Sequence, residues 1–459
     1  MLPFDTNSFP FKAGVFLVGG SVRDLLAGKV PYDYDLVVRQ NPADFASGLA
    51  TAIGGHVVEL GKPGQKMLRV VTRERIFDIM PVSGPSIESD LRLRDFTINA
   101  MAVEVASGSL IDPLDGQKDL AAKTVRMVSP EVFRQDPVRL VRAYRMAAIF
   151  NFSIDRQTQS AIATDASLIH KSAAERIREE LFKILQCAES HPYLTMMAHN
   201  NLLFNVFPEF LQLHQQQLRP AGSGTLLDRT LNSYNHLEIL LNPEGEFRRT
   251  PVGQAFPDND VERSVLIKWA LLFHDLGRLE AKSSSVDGQS RRAEARADAG
   301  AVMARSICRR LRFSGRHSDI IEMIVRHHAR PMILFSARAT KKTLKKKFIR
   351  FFLDCRDVTP DVLLHALAAF RGQRQPDDPQ LNEFTEFIHM LIQKYATVLR
   401  PRAALPPPLN GHDLIQEFGL QPSAEFKLIL QRLEEQRLSQ PDFTREEALQ
   451  LVSKLVNQE

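Results

Sequence analysis

Residues 16–38 read FLVGGSVRDLLAGKVPYDYDLVV, and this stretch decides the fold of the first third of the chain. An apolar strand pattern ending at Val18 runs into Gly19-Gly20, and a helical pattern over Val22 to Ala27 begins at once. Glycines let backbone amides approach a phosphate, the start of a helix offers unpaired N–H groups, and Arg23 adds a fork of donors. The spacing is neither GxGxxG nor GxxxxGK[ST], so taken alone the pair marks only a tight turn. The next strand opens on Asp33-Tyr34-Asp35, which changes that weighting. Side chains two apart on a strand share a face, placing the two carboxylates about 6.6 Å apart along it. Such acids repel unless a cation sits between them, and two-metal phosphoryl transfer needs a platform of this kind. Asp78, in the strand pattern Arg75 to Ile79, is a candidate third carboxylate. The plain alternative is a turn and a strand edge whose acids face water.

Strand patterns recur at His56 to Leu60 and Ile76 to Met80, interleaved with helical ones, so an α+β head with a mixed sheet is expected over 1–147. From about Pro137 strand signals vanish. Clusters of polar, Gly and Pro residues then divide a helical remainder into a neck over 148–225, a body over 226–399 and a tail over 400–459. A length of 459 residues agrees with several domains at about 150 residues each. With 44% hydrophobic and 25% charged residues, wholesale disorder is excluded. Lys and Arg number 59 against 54 Asp and Glu, a net +5 that suits a polyanionic partner. The three cysteines lie far apart and form neither a disulfide framework nor a CxxC knuckle, so a reducing cytoplasm is expected. No apolar run approaches the ~20 residues needed to cross a bilayer, and the first residues lack the pattern of a signal peptide. Between Arg338 and Arg350 seven basic residues occur without an acid, a solvated helix face or a contact for phosphate backbone.

A second constellation lies at Arg134 to Arg145. Pro137 suits the first position of a helix and Asp136 its N-cap. Arg139, Arg142 and Arg145 then follow at i, i+3 and i+6 and repel one another unless anions or acids meet them.

GGSVRDLLAG with DYD resembles the first motif of the class II tRNA nucleotidyltransferase and bacterial poly(A) polymerase family, within the DNA polymerase β superfamily. The resemblance continues in chain order through Asp90 to Met101 (DLRLRDFTINAM), Ile111 to Gly116 and Ala174 to Leu181 (AERIREEL). It implies template-independent transfer of CMP or AMP from CTP or ATP to an RNA 3′ end, tRNA above all, with Mg²⁺ on Asp33 and Asp35 and Asp78 beside them. It also implies that Gly19, Gly20, Arg23, Arg94, Arg142 and Arg145 hold the nucleotide while Asp136 and Arg139 read the base. A carboxylate accepts from the exocyclic amine of cytosine or adenine, and a guanidinium donates to the ring. Gln135 stands in place of the family's Glu and Leu93 in place of an Arg. The span from Asp35 to Asp90 is short for a CCA-adding member, since after Asp78 only Met80 to Ser89 precede the next motif, which leaves CCA, CC-only, A-only and poly(A) addition all open. Neither a membrane nor an obligate protein partner is implied.

In the body, VLIKWALLFHDLG over 265–277 carries His274-Asp275, with His236 upstream. These residues resemble the start of an HD-domain metal site, whose chemistry is phosphoester hydrolysis. A hydrolase centred on them is therefore the competing functional class. Arg296 and Ala369 stand where further ligands belong, which predicts an HD-like domain without robust hydrolase activity. In the tail, His412-Asp413 suits a helix cap.

Overall fold

The computed structural model describes residues 6–61, 67–218, 224–250, 253, 260–280, 289–338 and 341–456. Among them, seven strands make one sheet: β1 (Val15–Val18), β2 (Asp33–Val38), β3 (His56–Leu60), β4 (Met67–Val71), β5 (Ile76–Pro81), β6 (Ala102–Glu104) and β7 (Leu110–Ile111). Their order is β3-β4-β5-β2-β1-β6-β7. Strands β2 and β5 run parallel and the other neighbours antiparallel, which is the mixed sheet expected.

The unbroken apolar run of β1 follows from burial on both faces. Val15 and Leu17 enter one core with Tyr34, Leu36, Phe45 and Leu49, whereas Phe16 and Val18 enter another with Val37, Ile87 and Leu91. The same alternation aims the acids. Because Tyr34 and Leu36 fill the first core, Asp33 and Asp35 stand on the opposite face. Strands β4, β6 and β7 escaped the sequence patterns: Arg69 interrupts the first, and the last two are too short for alternation to register.

The chain forms two compact units, Met1–Cys187 with Pro192–Phe207, and Ala188–His191 with Pro208–Glu459. The first unit holds the head and, Ala188–His191 apart, the neck as far as Phe207, and the rest of the span expected as neck belongs with body and tail in the second. In the first, Thr124–Val125 pairs with Ser153–Ile154, a short exception to the all-helical course expected after Pro137. The second unit is helical, with Leu226–Leu241, Val261–Phe273, Gln289–Arg310, Gly315–His327 and Thr359–Gly372 among its helices. Its last three helices gather a small core around Leu414, Ile429, Leu433 and Val452. Asp413 completes a capping box with Asn410, the role expected of it. Three of the seven basic residues of the run are met from within: Arg338 pairs with Glu383, Arg350 with Glu435, and Lys345 donates to the Ser439 carbonyl. Among the described residues no helix is long and apolar enough to cross a membrane.

Candidate active site

The turn after β1 brings the first group of predicted residues together. Gly19 has φ 67°, and a Cβ there would lie 2.8 Å from Arg94 Nη1 and 3.5 Å from Asp35 Oδ2. Backbone conformation and lack of space therefore both call for glycine. The helix that follows, Gly20–Leu26, is only seven residues long, so its dipole is a minor part of any phosphate site. The polar groups converging on Gly19 matter more.

Ser21, which sequence patterns did not single out, ties the turn to the acids. Its hydroxyl donates to the Asp33 carbonyl (3.1 Å) and accepts from the Asp35 N–H (2.9 Å). It is 2% exposed, so water does not compete for these bonds. Burial pushes the Asp35 carboxyl up to about 6; Arg94 opposes the rise, while Asp78 and Asp33 add to it. Asp78 lies opposite Asp35 in the β2–β5 register. Both its oxygens, however, accept from Arg69, at 2.7 and 2.8 Å, and it does not line the cleft that holds Asp33 and Asp35. Arg69 reaches it from the neighbouring β4.

That cleft has a volume of about 1000 Å³ and runs from Gly19 and Gly20 past Arg94 to Arg139, Arg142 and Arg145. Arg94 donates through Nε and Nη2 to Asp90, leaving Nη1 toward Gly19. Arg23 is less free than its motif suggests. It donates to Asp24 (2.9 and 2.8 Å) and to Asn99 (2.5 Å), and its guanidinium lies 4.4 Å from the Phe150 ring centre. It builds a wall of the cleft, with Lys29 and Lys183 adding positive charge at the rim.

The arginine row lies on the helix Arg139–Phe150, and acids meet most of it. Arg142 bonds Glu180 (3.1 Å) and Asp95 (3.3 Å), and Arg145 Nε stands 2.9 Å from Glu180. Those two need no ligand to offset their charge. Arg139 has the weakest acid contact: it is 3.9 Å from Asp136, its Nη1 donates to the Val132 carbonyl at 3.5 Å, and its Nε, like that of Arg145, is buried without a hydrogen-bond partner. Burial holds its guanidinium below the usual value, against the pull of Asp95 and Asp136. Asp136 does not cap the helix, which starts at Arg139. It is extended instead, and both its oxygens accept from Arg176, at 2.9 and 2.7 Å. Arg176 lies within the AERIREEL segment, but no local pattern tied it to Asp136.

The second predicted cluster is rearranged. His274 and Asp275 are adjacent and buried, but His236 is not at their pocket; it lies half-buried under the influence of Arg371. Arg229 meets Asp275 instead, donating to it at 2.9 Å, while Arg278 donates to the other oxygen at 2.6 Å. Burial alone would raise the Asp275 carboxyl, yet His274, Arg278 and Arg229 hold it far below the usual carboxylate range. Arg296 and Ala369 line this pocket, where ligands were read as missing. Among the described residues no group of three His, Cys, Asp or Glu side chains is placed to hold a metal ion.

Two strand-borne acids beside a glycine turn, at one end of a cleft whose other end carries arginines, define an enzyme of the nucleotidyltransferase class. Comparison with known proteins agrees. Residues 15–126 match the family described as "Poly A polymerase head domain", and residues 151–213 match "Probable RNA and SrmB- binding site of polymerase A". The chain is 30% identical over 434 residues to the A-adding tRNA nucleotidyltransferase of Deinococcus radiodurans, covering 93% of this chain and 92% of that one. It is 28% identical over 451 residues to the CC-adding tRNA nucleotidyltransferase of Thermus thermophilus, covering 96% and 94%. Among solved structures, the Thermotoga maritima CCA-adding enzyme complexed with tRNA shares the fold at TM-score 0.62 and 21% identity, over 96% of this chain and 91% of that one. The chain belongs to the tRNA nucleotidyltransferase family.

Proposed function

We propose that the chain joins CMP, AMP or both, taken from CTP and ATP, to the 3′ end of tRNA and releases pyrophosphate. The observation that carries this is the convergence of Asp35 and Arg94 on Gly19, in a chain similar along nearly its whole length to A-adding and CC-adding enzymes.

The donor set fits a divalent cation. Asp33 and Asp35 share a strand face and line the cleft, and Asp35 is crowded by like charge. These two residues would hold Mg²⁺, which when bound makes the tRNA 3′-hydroxyl more acidic and offsets charge on the departing pyrophosphate. The remaining work falls to the chain. Gly19 leaves room for the triphosphate beside β1, and Arg94 Nη1 donates to it. Ser21 holds the backbone of both acids, so they keep their spacing as charge develops. Asp136 accepts from the amine of cytosine or adenine, and Arg139, which lines the cleft, donates from its guanidinium to the base edge. Uracil offers a carbonyl where that amine stands, which leaves Asp136 facing another acceptor.

The test is incubation of the purified chain with tRNA lacking its terminal CCA, or ending at CC, with each nucleoside triphosphate alone. Addition of one to three nucleotides supports tRNA 3′-end synthesis, and a long adenylate tail assigns poly(A) synthesis instead. Asp33→Asn and Asp35→Asn should each lower incorporation at least about a thousandfold with an unchanged melting temperature. Incorporation at the parent rate in either variant removes that acid from the metal platform.

A further inference from the structure

The helical unit holds a pocket of about 130 Å³ beside Asp275, well under the several hundred Å³ of a nucleotide-sized site and equal to roughly four waters at about 30 Å³ each. Its charge is one-sided. Arg229 and Arg278 share the single carboxylate of Asp275. Arg296 lines the same space and makes no hydrogen bond or ion pair among the described residues; burial and the nearby Arg278, Arg292 and Arg229 all disfavour its charged form. The backbones that carry Arg278 and Arg296 are packed together. The turn Leu276–Arg278 lies so close to the helix Gln289–Arg310 that a Cβ on Gly277 would fall 1.8 Å from the Arg296 carbonyl oxygen.

The facing wall offers acceptors. His274 Nδ1 lies 2.7 Å from the Leu271 carbonyl and His328 Nδ1 2.6 Å from that of Val325. A carbonyl only accepts, so each ring carries its proton on Nδ1 and leaves Nε2 bare. His274 Nε2 is buried without a hydrogen-bond partner and stands 3.3 Å from Asp275 Oδ2, one acceptor facing another. Asp275 Oδ2 already accepts from Arg229 and Thr230, so it is the imidazole nitrogen that lacks a donor, whereas Arg296 lacks an anion. A hydrogen phosphate group is both, with oxygens that accept from guanidinium and an O–H that donates to imidazole.

We propose that this pocket binds a hydrogen phosphate group, as the free ion or a small monoester, in place of a metal, the guanidinium groups of Arg229 and Arg278 having taken the carboxylate a metal would need. This is independent of the nucleotide chemistry proposed above. Phosphate titrated into the full chain, followed by calorimetry and by melting, tests it. The expected result is a bound phosphate that raises the melting temperature by about 5 °C at a hundredfold excess over Kd. That shift is absent in Arg296→Gln and kept in Arg94→Gln, which alters only the nucleotide cleft. Arg296→Gln should melt no lower than the parent without phosphate, because the charge it removes is unopposed; this separates lost binding from lost folding. Sulfate, with no O–H to give at neutral pH, should bind about tenfold more weakly. At about pH 5.5, where methyl phosphate keeps one O–H, its binding as tightly as phosphate supports the ester, and weaker binding supports the free ion. The proposal is overturned by absence of binding, by binding that survives Arg296→Gln or vanishes in Arg94→Gln, or by a Mn²⁺-induced shift that phosphate does not produce.

Discussion

Arg176 holds the carboxylate proposed to read the base. Its fork takes one lone pair from each Asp136 oxygen and leaves others to accept an amine, so it fixes the plane of the reader without filling it. Arg176→Met keeps the length of the side chain and removes the fork. A freed Asp136 can turn, and a bidentate contact of this kind carries about 1–3 kcal/mol of base discrimination. The preference for CTP and ATP over UTP, measured as a ratio of kcat/KM values, should therefore fall about tenfold. An unchanged ratio would show that Asp136 is oriented by something else. Gly19, Asp33, Asp35 and Arg94 were legible because they belong to contiguous motifs. Ser21, Arg69 and Arg176 were not, because each acts on a partner brought near only by folding.

At the scale of elements, the helix Arg139–Phe150 is braced by Ala174–Leu185 through one side chain. Glu180 is 6% exposed and meets both Arg142 and Arg145. The spacing of the arginines showed that acids or anions had to meet them, and the structure supplies Glu180 and Asp95 for two of the three. Removing one partner of a buried pair leaves the other charge uncompensated, which costs about 3–5 kcal/mol. Glu180→Gln should accordingly lower the unfolding free energy by about 3 kcal/mol in urea denaturation. A loss below about 1 kcal/mol would mean that water screens these arginines as it does surface pairs. The start of this helix, read as Pro137 with Asp136 as cap, lies later because the Asp136 side chain is committed to Arg176.

For the molecule as a whole, the buried histidines of the second unit set a pH limit. The His274, His328 and His365 rings lie 5.2 to 5.5 Å apart, near Asp275, Arg229 and Arg278. Burial lowers all three below the ordinary value near 6.5, His328 to about 4 and His365 well below, so the folded rings are neutral. Through these rings the unfolded chain binds more protons than the folded one between about pH 6.5 and 4, so their contribution to stability is full above that window and falls as pH drops through it, whereas Asp35 and Asp361, each pushed up to about 6 by burial, work in the opposite direction. Each ring contributes a slope of up to about 1.4 kcal/mol per pH unit. The chain has one tryptophan, Trp269, fully buried in this unit, whose fluorescence in phosphate-free buffer follows the loss directly. A flat or rising urea midpoint from pH 7 to 5 would mean that these rings do not dominate the proton balance of the fold. The head sheet, the helical remainder and the acid pair were all present in the linear chain, because periodicity and motif are properties of neighbours in sequence. The pairings Arg69–Asp78, Arg176–Asp136 and Arg229–Asp275 join residues 9, 40 and 46 positions apart. Packing alone selected them, since a buried charge pairs with whatever opposite charge the fold brings within reach, and no local spacing encodes that distance.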